Sequence, residues 1–170
     1  HRVQLCPFAG TTCSTIAGTG SAGSGGTELN GPQGIAIAAD GQVAIADPGN
    51  HRVQLCPGAG AACTTIAGTA GSAGNGDTEL NNPQGIAIAA NGKYAIVDRY
   101  NHRVQLCPGA GAACTTIAGT GSAGSGNTEL NDPLSVAIAA DGKYAIADSG
   151  NHRVQLCPGA GAACTTIAGT

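Results

Sequence analysis

Eight cysteines stand in four pairs of one spacing: Cys6 and Cys13, Cys56 and Cys63, Cys107 and Cys114, Cys157 and Cys164. Thiols so placed can oxidise to a bridge, stay reduced in a core, or bind metal. The metal reading is weak. Two Cys with one His per unit (His1, His51, His102, His152) do not match the common zinc patterns. The bridge is the expectation, because the segments between the Cys, PFAGTT and PGAGAA, have the Pro, Gly and small residues of a hairpin loop. Each local disulfide would contribute roughly 2–2.5 kcal/mol.

A second set of polar residues also recurs. Asp47, Asp98 and Asp148 each precede a turn, and Asn-His-Arg follows it, giving His51-Arg52, His102-Arg103 and His152-Arg153. One chemistry for such a set is a ring of carboxylates and imidazoles around one face, able to hold a metal. The other is structural: each Asp accepts hydrogen bonds from its own turn or pairs with the nearby Arg. The unit recurs in every copy, whereas an active site normally breaks symmetry. The structural role is therefore expected, for the His as well. No Ser stands in a nucleophile elbow, and no glycine motif opens a helix to cradle phosphate. Catalytic, cofactor-binding and metal residues are all expected to be none.

These residues are positioned by a repeat. HRVQLCPFAGTTCSTIAGT, His1 to Thr19, returns at His51, His102 and His152, and the last two copies are identical. A fixed period near fifty residues signals a solenoid or a propeller. Setting Cys6 opposite Cys13 pairs Leu5 with Ser14, Gln4 with Thr15, Val3 with Ile16 and Arg2 with Ala17. Alternation then puts Val3, Leu5 and Ile16 on one face, and Arg2, Gln4, Thr15 and the Cys on the other. A Gly/Ser-rich loop follows, residues 20–28. The repeat's one length change falls there, with Ala70 to Glu79 one residue longer. Loops tolerate insertion; strands do not. Next come a short strand, Ile35 to Ala38, a hairpin signal at Asp40-Gly41 (Asn91-Gly92 and Asp141-Gly142 in later copies), and a strand from Val43 to Ala46. Four hairpinned strands per period describe a propeller blade. Ile on one face and Ala on the other would let blades stack closely. A β-helix is the rival, with shorter repeats and no Asp-Gly hairpins.

The motif Asn-Pro-Gln-Gly-Ile-Ala-Ile, then Asp-Gly or Asn-Gly, then Ile-Ala-Asp or its like, then Asn-His-Arg-Val-Gln resembles the NHL repeat over nearly the whole period. The resemblance implies β-propeller blades, commonly six to a ring. It also implies a choice of roles: protein interaction, RNA binding through basic faces, or metal-dependent lyase chemistry. The Cys-clamped hairpin and the long Gly/Ser loop depart from the generic pattern and point to an extracellular branch.

The expected fold is all-β: about three and a half blades of four antiparallel strands, part of a six-bladed ring or of a longer array. The half blade is 1–20, and the blades are 29–69, 80–120 and 130–170. The leading pair lacks its first two strands while the chain stops on a finished blade. Unpaired edges of that kind invite another chain.

Composition narrows the partners. The chain has 170 residues, 42% hydrophobic but only 2% aromatic, so the core must be built of small aliphatic side chains. Seven Lys and Arg against ten Asp and Glu make no basic patch, which excludes nucleic acid. No apolar run reaches membrane-spanning length. Paired Cys favour an oxidising compartment, hence a secreted, extracellular protein. The expected function is a non-enzymatic structural scaffold that assembles with itself or with other repeat-containing chains. Alternatives are a propeller binding a protein or carbohydrate, with Tyr94, Tyr100 and Tyr144 as its aromatic contacts, or a metal-dependent lyase or hydrolase. Thr and Ser in the Gly-rich loops could carry O-linked glycan; Asn-x-Ser/Thr acceptors are absent. Two departures from the repeat, Leu134-Ser135-Val136 and Arg99-Tyr100, read as drift or as a partner contact.

Overall fold

The computed structural model describes residues 1–7, 12–58 and 60–169. Most of the first inter-cysteine loop (residues 8–11), residue 59 of the second and Thr170 lie outside the described residues. Fourteen strands are found among the rest. A two-stranded half blade holds β1 (Val3–Leu5) and β2 (Ser14–Ala17). The first full blade runs β3 (Ile35–Ile37), β4 (Val43–Asp47), β5 (Arg52–Cys56) and β6 (Thr64–Gly68). The second runs β7 (Pro83–Ile88), β8 (Tyr94–Asp98), β9 (Arg103–Cys107) and β10 (Thr115–Ala118). The third runs β11 (Pro133–Ile138), β12 (Tyr144–Asp148), β13 (Arg153–Cys157) and β14 (Thr165–Gly169). Within each blade, strands follow chain order and pair antiparallel.

Neighbouring blades meet chiefly through their first two strands, β3 and β4 against β7, then β7 and β8 against β11. Blades that converge on their first strands and splay at their last have the geometry of a propeller. At the convergent edge, Gly34 donates its N–H to the Gln84 carbonyl of the next blade at 3.1 Å. A Cβ on Gly34 would sit 2.2 Å from that oxygen, so glycine is what permits the approach.

The core lies between blades. One cluster joins Ala44, Val53, Ile66 and Ala67 of the first blade to Leu80, Ile86, Ile96 and Cys107 of the second. The next repeats it, with Ala95, Val104, Ile117 and Ala118 facing Leu130, Val136, Ile146 and Cys157. The small Ala face of one blade thus receives the larger Ile and Cys face of the following one. This is how a chain without Trp or Met fills its interior.

One feature of the register differs from the sequence expectation. Val3 pairs with Ala17, not Ile16, while Gln4 still pairs with Thr15. The same slip recurs at Val53 and Ala67, Val104 and Ala118, and Val154 and Ala168. Each last strand carries a β-bulge in which the Ile is the extra residue. A bulge breaks alternation, so two consecutive residues can serve one face. Ile66 and Ala67 are accordingly both buried and in one cluster. A second difference is small. Asp40-Gly41 belongs to a three-residue loop, in which Gly41 N–H reaches the Ala38 carbonyl at 2.9 Å and Ala38 N–H reaches the Gln42 carbonyl at 2.8 Å.

Candidate functional site

The recurring Asp, Asn and Arg form one clamp per blade. Asp47 ends β4, a three-residue 3-10 turn (Pro48–Asn50) follows, and His51 takes a left-handed conformation that starts β5. That turn brings Arg52 back beside Asp47. Asp47 Oδ2 accepts from Arg52 Nε at 2.9 Å and from Asn50 Nδ2 at 2.8 Å, while Oδ1 accepts the Asn30 N–H at 2.6 Å. Arg52 spends its remaining N–H groups on the Gly/Ser loop, donating to the carbonyls of Ser24, Gly25 and Glu28 at 2.8–3.0 Å. Asn50 also donates to the Gly23 carbonyl at 2.8 Å. The clamp repeats as Asp98 with Asn101 and Arg103, and as Asp148 with Asn151 and Arg153. Its function is to fasten an irregular loop, whose carbonyls would otherwise go unpaired, to the turn of its own blade.

Burial is deep: Asp47, Asp98 and Asp148 are fully enclosed. At Asp98 that burial pushes the carboxyl above its ordinary value, against the opposing pull of Asn101, Asn81 and Arg103.

The histidines act across the blade boundary. His1 Nδ1 accepts the Gly31 N–H at 2.8 Å, His51 Nδ1 that of Asn82 at 3.2 Å, and His102 Nδ1 that of Asp132 at 3.1 Å. In each case the donor is the residue just before the proline that opens the next blade. His152 occupies the same position on the third blade and is exposed.

The four bridges Cys6–Cys13, Cys56–Cys63, Cys107–Cys114 and Cys157–Cys164 are formed. Cys56, Cys107 and Cys157 are fully buried against the preceding blade, whereas Cys6 and Cys13 are exposed. The incoming loop also touches the bridges of the three full blades: Cys63, Cys114 and Cys164 donate their N–H to the carbonyls of Gly26, Asp77 and Asn127 at 2.7 Å.

Two groups were not singled out in the sequence, and a third, Arg99, was noted there without its partner. Glu28, Glu79 and Glu129 fold back to accept the N–H of Gly25, Gly76 and Gly126, bracing the loop from inside. Gln54, Gln105 and Gln155 are buried and accept from Thr65, Thr116 and Thr166 at 3.1–3.3 Å, with no partner for their Nε2. Their signal was a polar residue at an invariant place in an apolar strand. Arg99 forms a two-pronged bond with Asp132 of the next blade at 2.6 and 2.7 Å, and lies over the Tyr100 ring at 5.1 Å. The Arg99-Tyr100 departure is therefore matched by a departure at Asp132, where the other repeats have Gly31 and Asn82.

Among the described residues, no three His, Cys, Asp or Glu side chains gather in a metal-binding group. No helix among them is long and apolar enough to cross a membrane. Tyr94 and Tyr144 border shallow grooves between the hairpin turns of adjacent blades, walled by Ile88 and Ala89, and by Ile138 and Ala139. A further hollow of about 300 Å³ opens on the outer face of the third blade, beside Ala147, His152, Val154 and Ala168.

The family model of the NHL repeat matches residues 29–54, 80–105 and 130–155. Each match starts on a buried Leu and ends on a buried Gln. Among solved structures, an auxiliary nutrient binding protein from Bacteroides ovatus is similar at 20% identity and a TM-score of 0.62, over 74% of this chain and 37% of that one. Its counterpart from Bacteroides thetaiotaomicron is 15% identical with a TM-score of 0.61, over 74% and 36%. A catalytically inactive virginiamycin B lyase from Staphylococcus aureus, solved with quinupristin, is 13% identical with a TM-score of 0.57, over 85% and 42%. At these identities the likeness shows the fold alone. The chain spans 36–42% of the length of these structures. No curated protein matches it. Three matched stretches, each placed on one four-stranded blade and each with its Asp, Asn and Arg in the same clamp, show that this chain carries NHL repeats folded as β-propeller blades.

Proposed function

We propose that the chain is a non-enzymatic scaffold, secreted, whose exposed blade faces associate with further blades of its own kind or of other repeat-containing chains. The observation that carries this is a pair of uncovered apolar faces. At one end Ile35 and Ile37 are 52% and 65% exposed, though at the same positions Ile86 is buried and Ile88 partly buried against the preceding blade. At the other end Ile167 is 55% exposed, though Ile66 and Ile117 are buried. These are the two halves of the interface that the chain builds twice inside itself. Exposed apolar patches of this kind mark interaction surfaces.

Two further observations support the reading. Asp47, Asn50 and Arg52 and their repeats spend their polar atoms on the loop clamp, which leaves them no reach toward a substrate. Four disulfides suit an oxidising compartment. Ser24, Thr27, Ser125 and Thr128 are exposed on the loops and accessible to O-linked glycan.

Size-exclusion chromatography with light scattering, over a range of concentrations, tests the proposal. Reversible growth beyond one chain, abolished by Ile167→Asp, is expected. A compact monomer at every concentration would defeat it.

A further inference from the structure

The hollow on the third blade has occupied counterparts elsewhere in the molecule. It is bordered by Ala147, His152, Val154 and Ala168. The matching residues of the second blade are Val97, His102, Val104 and Ala118. There the space is taken by Leu130, fully buried in the cluster that holds Val97, Val104 and Ala118. Two residues on, the Asp132 N–H bonds to His102. Leu80 and Asn82 do the same on the first blade with Val53, Ala67 and His51. Leu29 and Gly31 do so on the half blade with Val3, Ala17 and His1. The occupying segment reads Leu-Asn-x-Pro in all three cases: Leu29 to Pro32, Leu80 to Pro83 and Leu130 to Pro133.

We infer that the outer face of the third blade is a socket for a Leu-Asn-x-Pro segment of another NHL-type blade, with the Leu in the hollow and the backbone N–H two residues later on His152 Nδ1. The inference deepens the scaffold reading and rests on it for the source of the segment, another repeat-containing chain, since the three segments of this chain are already seated on its own blades. The chemistry is specific on two counts. An aliphatic side chain of Leu size fits a hollow of about 300 Å³ walled by Val154 and two Ala. A proline after the donor pre-sets the chain and removes a competing N–H.

The inner edge of the same face shows why the segment is the primary handle. Gly34 and Gly85 let the next blade's first strand come so close that a Cβ would lie 2.2 and 2.8 Å from its carbonyl oxygens. Ser135 holds that position on the third blade. Its side chain keeps an incoming first strand farther out, while the socket and His152 stay open.

The test is an NMR titration of the isotope-labelled 170-residue chain with a capped synthetic peptide, NTELNDPL, copied from residues 127–134. Saturable shifts centred on Ala147, His152, Val154 and Ala168 are expected. The peptide with Leu130→Ala should not saturate. His152→Ala, at an exposed side chain outside the loop clamp, should weaken binding roughly fivefold to tenfold, the loss of one hydrogen bond. Shifts that are absent, scattered, or equal for both peptides would overturn the socket. Its failure is separable from that of the scaffold reading. A chain that binds peptide but stays monomeric keeps the socket and loses self-association. A chain that associates but gives no saturable peptide shifts loses the socket.

Discussion

Arg99 and Asp132 belong to successive blades and meet fork to fork, at 2.6 and 2.7 Å, beside the His102 bond to the same Asp132 backbone. The Arg99 hydrogen bond is the main reason that the Asp132 carboxyl lies below the ordinary 3.8, with smaller help from its charge and from His102. A depressed folded value stabilises the fold above the unfolded pKa. That stability is lost as pH falls from about 3.8 through the folded value. Both side chains are about a third exposed, so screening holds the effect under about 1 kcal/mol. We expect Arg99→Ala to return the Asp132 carboxyl toward 3.8 in an NMR titration. An unmoved titration would mean that the pair does not form in solution.

Asp98 has the opposite sign. Its burial raises the folded value, so the linked stability is fully present below the unfolded pKa and declines as pH rises through the folded one. Removing the side chain is a different matter from titrating it. Asp98→Ala would leave Arg103, 7% exposed, without its carboxylate partner. Breaking one half of a buried pair costs about 3–5 kcal/mol. Urea denaturation should show that loss, and hydrogen exchange should show the loop at 70–79 opening first. A loss under about 1 kcal/mol, typical of a surface pair, would contradict the clamp.

The sequence made the blade legible because its signals agree at every level. Period, Asp-Gly and Asn-Gly turns, Cys spacing and Ile/Ala alternation all specify the same four strands. It made the clamp half legible. Asp47 and Arg52 could be paired by proximity in sequence, but Asn50 and Glu28 could not, since their loop partners, the Gly23 carbonyl and the Gly25 N–H, are backbone groups with no side-chain signature. The bulge at Ile66 was hidden because Val53 opposite either Ile66 or Ala67 satisfies an apolar pattern equally well. What separates them is Gly68, whose Cβ would meet the His51 carbonyl at 2.2 Å. That requirement concerns backbone approach, which side-chain periodicity does not record. The Arg99–Asp132 bond was invisible for another reason: the Arg99-Tyr100 departure was noted without the matching one at Asp132, which lies 33 residues on in the next blade.

The bridges differ in access and should differ in lability. Cys6 and Cys13 are exposed, whereas Cys107 is fully buried and Cys114 is 7% exposed. Thiol exchange needs the attacking thiolate to reach a sulfur. Under limiting dithiothreitol in native buffer, alkylation followed by peptide mapping should label Cys6 and Cys13 well before Cys107 and Cys114. Simultaneous labelling of all eight would mean that reduction proceeds through global unfolding and that the blades do not shield their sulfurs.

The inner strands offer the sharpest test of how blades are spaced. A Cβ on Gly85 would lie 2.8 Å from the Leu134 carbonyl and from the Ser135 Cα, both backbone atoms that cannot swing aside. Overpacking at such a contact costs about 1–3 kcal/mol. Gly85→Ala should therefore lower the urea midpoint and also disturb Val136 and Ile138, across the boundary from the substitution. Ser135→Gly serves as the counterpart. Ser135 is exposed, and no described blade follows it, so this change should be close to neutral for the isolated chain apart from the flexibility it adds. If associating blades seat as internal ones do, it should strengthen association, because it restores the glycine that both inner boundaries use. A Gly85→Ala variant as stable as its parent, with unchanged signals from Val136, would show that close approach of the first strands does not set the blade spacing.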